Sequence, residues 1–216
     1  MTRVSVATAA LLGGAVWTVH ALVLAGRPTG CVRDACFVAG ASSRPSEDLA
    51  PVFLLAVVLL AVAATTLGRG DRQRGRGLTR TGALLLWAGA ALLVLGLVVN
   101  AAIDGDSPLW WLHDTDSLGR LAPVTGSFLV GMGLLWRRSD PSWLGPALAV
   151  AALVSVPFNA QDDRVLLNVP LGLVWAVAGS WWLLQWRRAQ NVSLATASPR
   201  TSPLHAPSDR TGRGAS

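Results

Sequence analysis

Six long apolar runs, separated by short polar segments, dominate the chain. They cover Val4–Gly26, Ala50–Gly68, Thr81–Ile103, Leu121–Trp136, Leu144–Phe158 and Val165–Trp186, and no Asp, Glu, Lys or Arg interrupts any of them. An α-helix rises 1.5 Å per residue and a bilayer's hydrocarbon core is about 30 Å thick, so about 20 apolar residues cross it. The first three runs and the last fit that length. Leu121–Trp136 and Leu144–Phe158 are short, and must recruit flanking residues or thin the bilayer locally. The alternative for these two is a single re-entrant pair. The pattern predicts an all-α, polytopic transmembrane helical bundle of about six spans over residues 1–188.

Prolines punctuate the runs where helices tolerate them. Pro51, Pro123 and Pro170 fall in the predicted first turns of spans two, four and six, where the first-turn N–H has no helical partner anyway. Pro157 is expected to end or bend span five. Span two opens Leu49-Ala50-Pro51-Val52, span four Leu121-Ala122-Pro123-Val124, and span six more loosely Leu167-Asn168-Val169-Pro170. The spans before them end in His20-Ala21, Asn100-Ala101 and Asn159-Ala160. Three helical hairpins of one design would give this recurrence. So would the general preference for an early proline in a helix.

Composition agrees with the membrane reading. The chain has 216 residues, of which 52% are hydrophobic and only 14% charged. An ordinary soluble domain carries about 25% charged residues, so these charges are too few to cover a water-exposed surface. The net charge of +6 does not point to nucleic acid. The arginines lie in short clusters between apolar runs, with no continuous basic face.

Their placement predicts an orientation. Arg69, Arg72, Arg74, Arg76 and Arg80 follow span two, Arg137 and Arg138 follow span four, and Arg187 and Arg188 follow span six. With six spans and both termini cytoplasmic, the cytoplasmic segments hold 13 Arg against 3 acidic residues, and the opposite segments hold 5 Arg against 9. That asymmetry obeys the positive-inside rule. Trp110 and Trp111 suit the outer interface, and Trp136, Trp143 and Trp186 the inner one. Trp17 and Trp175 fall deeper and read as packing residues. The tail, residues 189–216, is rich in Ser, Thr, Pro and Arg and reads as a disordered cytoplasmic tail. Span one has a second reading as a cleaved signal peptide ending near Val23-Leu24-Ala25. Its apolar run is long for that role, which favours a retained helix.

Candidate chemistry collects at the predicted outer ends of the spans. His20, Asn100, Asn159 and Asn168 lie there, with Asp104, Asp106, Asp162 and Asp163 just beyond. Bundling would gather them into an outward-facing polar cup able to bind a cation or small ligand. Equally, Asn and Asp cap helices and satisfy backbone at interfaces. His20, about a turn and a half inside span one, reads as a hydrogen-bonding residue between helices or as a metal ligand or proton carrier. Cys31 and Cys36, in the first outer loop, most simply form a disulfide outside the cytoplasm. A metal site with His113, or free thiols, are the alternatives. Small residues at Ala9/Gly13, Ala10/Gly14, Gly126, Gly131 and Gly133 predict close helix packing, within the chain or between copies.

The stretches RPTGCVRDAC, SEDLAP and FNAQDDRVLLNVPLGLVWAVAGSWWL resemble small six-span membrane proteins of actinobacterial type, a group without a known activity. The resemblance implies the same fold and topology and transfers no catalytic residue. A HExxH motif is absent, intramembrane carboxylates are missing, and the paired intramembrane histidines of a haem b bundle are not there. The sequence therefore predicts a non-enzymatic interaction or accessory protein of the cytoplasmic membrane, with no cofactor and no metal. Its expected partners are the lipid bilayer and a protein partner or second copy. A small solute or ion transporter or channel built on the polar cup is the alternative. A membrane enzyme using His20 or the cysteines ranks third.

Overall fold

The computed structural model describes residues 3–27, 30–31, 42–43, 47–68, 75–102, 115–137, 141–157 and 163–197. Six α-helices make up the body: α1 (Arg3–Ala25), α2 (Ala50–Leu67), α3 (Arg76–Ala102), α4 (Thr115–Arg137), α5 (Leu144–Ser155) and α6 (Val169–Ala197). Short 3-10 turns, Glu47–Leu49 and Asp163–Asn168, lead into α2 and α6. Two two-residue strands, β1 (Gly30–Cys31) and β2 (Ser42–Ser43), pair antiparallel between α1 and α2. The all-helical bundle expected from the pattern is the fold observed.

Each helix packs on the next in sequence, and α6 closes the ring on α1. Neighbours run antiparallel, as cross-contacts show. Gly14 meets Gly172 and Gly179 meets Ala7 between α1 and α6; Gly82 meets Gly126 and Gly133 meets Thr79 between α3 and α4. One end of the bundle, here the upper end, is where α1, α3 and α5 finish. At the lower end they begin.

Five helices are long and apolar enough to cross a membrane: α1 to α4 and α6. Large apolar side chains also point away from the core, among them Val19, Leu55, Leu84, Val98, Val150 and Leu184, all more than half exposed. Such a surface needs lipid, not water, around it. The run Leu144–Phe158 yields only the 12-residue α5. At 1.5 Å per residue that is about 18 Å, well short of a hydrocarbon core. Pro157 stands in the turn just past its end, as expected.

Glycines set the closest approaches. A Cβ on Gly172 would fall 2.8 Å from the Gly14 carbonyl and 2.9 Å from the Thr18 nitrogen. A Cβ on Gly133 would stand 2.8 Å from the Gly75 carbonyl and 2.9 Å from the Thr79 nitrogen. The two junctions are built alike. Thr18 Oγ1 donates to the Gly14 carbonyl at 2.9 Å and Thr79 Oγ1 to the Gly75 carbonyl at 3.1 Å, each facing a glycine of the partner helix. The threonine satisfies its hydroxyl within its own helix, so no polar group is stranded in an apolar contact. Gly75, just before α3, has φ +74°, a conformation that costs other residues strain. The predicted small-residue packing is thus used within the chain. Gly13 faces Leu59 and Leu60 of α2, Gly126 faces α3, and Gly131 faces Gly145 and Ala149 of α5.

The interior is one continuous apolar cluster fed by all six helices. At mid-height Trp175 of α6, fully buried, donates its Nε1–H to Ser127 Oγ of α4 at 3.2 Å. Leu60, Val130 and Leu171 are equally buried. Trp17 and Trp175 are packing residues, as their depth predicted.

Several boundaries differ from the hydropathy pattern. Helix α4 starts at Thr115, not Leu121, so Pro123 lies inside it instead of in its first turn. The polar stretch Thr115–Arg120 masked a helix whose Gly119 packs on Leu93 of α3, and whose Pro123 fills the space above Gly89. At 23 residues α4 is long enough to span, so it has no need of a re-entrant path. Helix α3 begins at Arg76, and α6 runs to Ala197. The first nine residues of the predicted disordered tail are therefore helical; residues 198–216 lie outside the described set. The expected hairpin α3–α4 is present as a glycine-mediated pair. Its closest counterpart is α1–α6, joined across the sequence, not the hairpins α1–α2 or α5–α6.

Candidate functional site

The upper end gathers polar and aromatic side chains from four segments. Phe53, in the first turns of α2, is the centre. Its ring lies 4.7 Å from that of Trp17 and 4.9 Å from that of His20, both on α1. The Arg120 guanidinium of α4 sits 5.7 Å from the same ring centroid, a cation–π placement. Asn168 closes the group from the 3-10 turn before α6. Its backbone carbonyl accepts the Trp17 Nε1–H at 3.1 Å.

The sequence places this cluster through ordinary helical spacing. Trp17 and His20 are three residues apart and share a face of α1. That face also carries buried Ala21 and Leu24. Phe53 follows Pro51 into α2, so the proline that starts the helix also sets the height of its aromatic ring. Arg120 is held by the six residues of α4 that the apolar pattern left out.

His20 and Asn168 are each 4% exposed. His20 Nε2 and Asn168 Oδ1 have no hydrogen-bond partner among the described residues. A buried polar atom left unpaired costs about 1–3 kcal/mol, so such atoms usually meet a ligand or an ordered water. Arg120 and Arg27 are the charges that act electrostatically on His20. Together the groups offer an imidazole nitrogen, an amide oxygen and a nearby positive field, in an apolar setting. That set suits a small polar or anionic molecule better than a bare cation, because among the described residues the charges acting on His20 are those of Arg120 and Arg27.

Beside the cluster, Arg27 and Asp48 form a two-pronged ion pair, Nη1–Oδ1 2.5 Å and Nη2–Oδ2 2.6 Å. It ties the end of α1 to the turn before α2. The hydrogen bond from Arg27 holds the Asp48 carboxyl below its ordinary range, and the same bond raises the arginine further.

Of the residues the sequence singled out, the structure thus brings His20 and Asn168 to one buried site. His20 lies against Phe53. The hydrogen bond to a neighbouring helix expected of it is not made by Nε2 among the described residues. Asn100 is in the last turn of α3 at the same end, and its side chain lies outside the described set. Asn159, Asp104, Asp106, Asp162 and His113 also lie outside the described residues, as does Cys36. Cys31 pairs by its backbone with Ser42. Among the described residues no group of three or more His, Cys, Asp or Glu could hold a metal.

Sequence reasoning missed Arg120 and Phe53. Arg120 was counted with the exposed outer charges because it precedes the apolar run. The signal available was the period: Leu118, Gly119 and Ala122 continue the spacing of α4 upstream through the polar stretch. Phe53 carried no signal, since one aromatic in an apolar helix looks like any core residue. No family model, no curated protein and no solved structure matches the chain.

Proposed function

We propose that the chain is a multi-pass, non-enzymatic accessory protein of the cytoplasmic membrane, with both termini in the cytoplasm, that works by binding at its outer face. The observation that carries this reading is the packed midsection. Trp175, Leu60, Val130 and Leu171 are fully buried below the polar cluster, and Trp175 is bonded across to Ser127. Such a plug favours binding over conduction. The orientation rests on the arginine distribution, which gives the lower end of the bundle most of the positive charge. The upper-end cluster of His20, Asn168 and Arg120 is then at the outer end of the bundle. The kinship proposed from the sequence, with small six-span proteins of actinobacterial type, agrees with this topology.

The test combines three measurements on the intact protein. Reporter fusions after Gly70 are expected to read cytoplasm, and fusions after Asp106 the outside; the reverse would sink the orientation. A panel of small carboxylates and other polar solutes is expected to raise the melting temperature of the wild type and not of His20→Ala or Asn168→Ala. Proteoliposomes are expected to show no solute flux. Flux abolished by changing Asn100 or Asn159 would instead establish the transporter alternative, which draws its support from the unpartnered His20 and Asn168 atoms.

A further inference from the structure

A second site stands at the opposite end of the bundle, independent of the polar cluster. Between α2 and α3 a cleft of about 370 Å³ is lined by Thr65, Gly68, Arg76, Arg80, Leu84 and Trp87, with Ala83 at its back. Arg76 and Arg80 are one helical turn apart and face it together. Among the described residues, none that lines it is acidic. Trp87 donates its Nε1–H to Thr65 Oγ1 at 3.0 Å, which fixes the indole as one wall. A third guanidinium stands close by. Arg137 of α4 reaches the Leu67 carbonyl at 2.9 Å and shares the electrostatic field of Arg76. In sequence, residues 69–74, which join the two helices, carry Arg69, Arg72 and Arg74 against the single Asp71.

The cleft changes character along its length. Its lower part is cationic. Its upper part is bounded by Leu84, 62% exposed, and Trp87, 41% exposed, on the outward face of α3. A soluble anion would use the arginines and leave the apolar wall bare. An amphiphile uses both: its phosphate lies between the guanidiniums, and its acyl chains run up past Leu84 and Trp87. Basic pockets between spanning helices at the membrane surface bind acidic headgroups on this principle. Guanidinium groups are suited to phosphate oxygens by their planar, multiple donors.

We propose that this cleft is a binding site for an anionic phospholipid, whose phosphodiester is held by Arg76 and Arg80 against the Trp87–Thr65 wall. The bound lipid fills the space between α2 and α3 and supplies a counter-charge to Arg76 and Arg80 that no described lining residue provides.

The experiment uses the full chain in detergent. Native mass spectrometry after addition of an equimolar mixture of phosphatidylglycerol and phosphatidylcholine reads which lipid stays bound. Retention is expected to favour phosphatidylglycerol. The double variant Arg76→Gln/Arg80→Gln is expected to lose about thirtyfold in that preference, roughly fivefold for each arginine. The variant Arg187→Gln/Arg188→Gln, on α6, is expected to keep it. Inorganic phosphate at the same concentration should not displace the lipid. Equal retention of the two lipids by the wild type overturns the proposal without need of any variant. So does equal preference in wild type and double variant, or displacement of the lipid by inorganic phosphate, which would mark a soluble-oxyanion site.

Discussion

Alanine at Gly172 places one methyl group in a close glycine junction between α1 and α6. The new Cβ would lie 2.8 Å from the Gly14 carbonyl and 2.9 Å from the Thr18 nitrogen, and would also press on Thr18 Oγ1. Real Cβ atoms essentially never come within 3.0 Å of such neighbours, and the obstacle is backbone, which cannot rotate away. Helices α1 and α6 must separate, losing packing along the whole seam. Overpacking of this kind costs about 1–3 kcal/mol. Against it stands the ordinary gain from replacing glycine by alanine in a helix, about 1 kcal/mol. Gly77, in the first turn of α3, isolates that gain, because a Cβ there meets nothing within 4 Å. Gly77→Ala is therefore expected to leave stability unchanged or raise it slightly. Gly172→Ala is expected to lower it by a net ~0–2 kcal/mol, the difference of those two terms, and so to fall ~1–3 kcal/mol below Gly77→Ala. Thermal unfolding of the purified proteins in one detergent checks the pair. A chain of this size shifts by about 2–4 °C per kcal/mol. If Gly172→Ala melts no lower than Gly77→Ala, α1 and α6 do not meet as described, and the closure of the ring is wrong.

Ser127→Ala is expected to destabilise by about 1–3 kcal/mol, because it strands the buried Trp175 Nε1–H; Trp175→Phe on that background should then cost less than it does alone, as a double-mutant cycle by thermal unfolding would read. The Arg27–Asp48 pair links stability to pH on the acid side only. The folded Asp48 titrates below its unfolded value, so the contribution is complete above about pH 4 and fades as pH falls through the lower folded value. Acid titration of unfolding in wild type and Asp48→Asn is expected to show a small difference that vanishes in strong acid; a difference that grows as pH falls would contradict the pairing. Helix α1 contributes Ala10, Trp17 and Leu24 to the buried interior, so mass spectrometry of the membrane-extracted protein is expected to find it retained, and cleavage after Ala25 would refute its place in the bundle.

The apolar runs determined by themselves that the chain is helical and lipid-facing, and they located α1 and α2 to within a residue or so. That works because lipid leaves a backbone few choices, and length and polarity report them directly. Helix ends were less legible wherever a helix left the apolar zone. Thr115–Arg120 and the stretch from Arg187 to Ala197 are helical although their composition says nothing of it, since helices continue while tertiary contacts and propensity allow. The small residues were readable as packing residues, but not their partners. Gly14 could have served a neighbouring copy; only the folded chain shows Gly172 opposite it.

The polar cluster divides in the same way. His20 and Asn168 stood out because polar groups in apolar runs are costly and therefore conspicuous. Arg120 did not, because an arginine beside a run looks like every other interfacial charge. What joined them was the ring closure of α1 on α6 and the unpredicted start of α4, which carry His20 and Arg120 onto the ring of Phe53 and Asn168 onto the neighbouring Trp17. Hydropathy is a property of each segment and survives in the sequence; the pairing of segments depends on shape between helices, which no single run encodes.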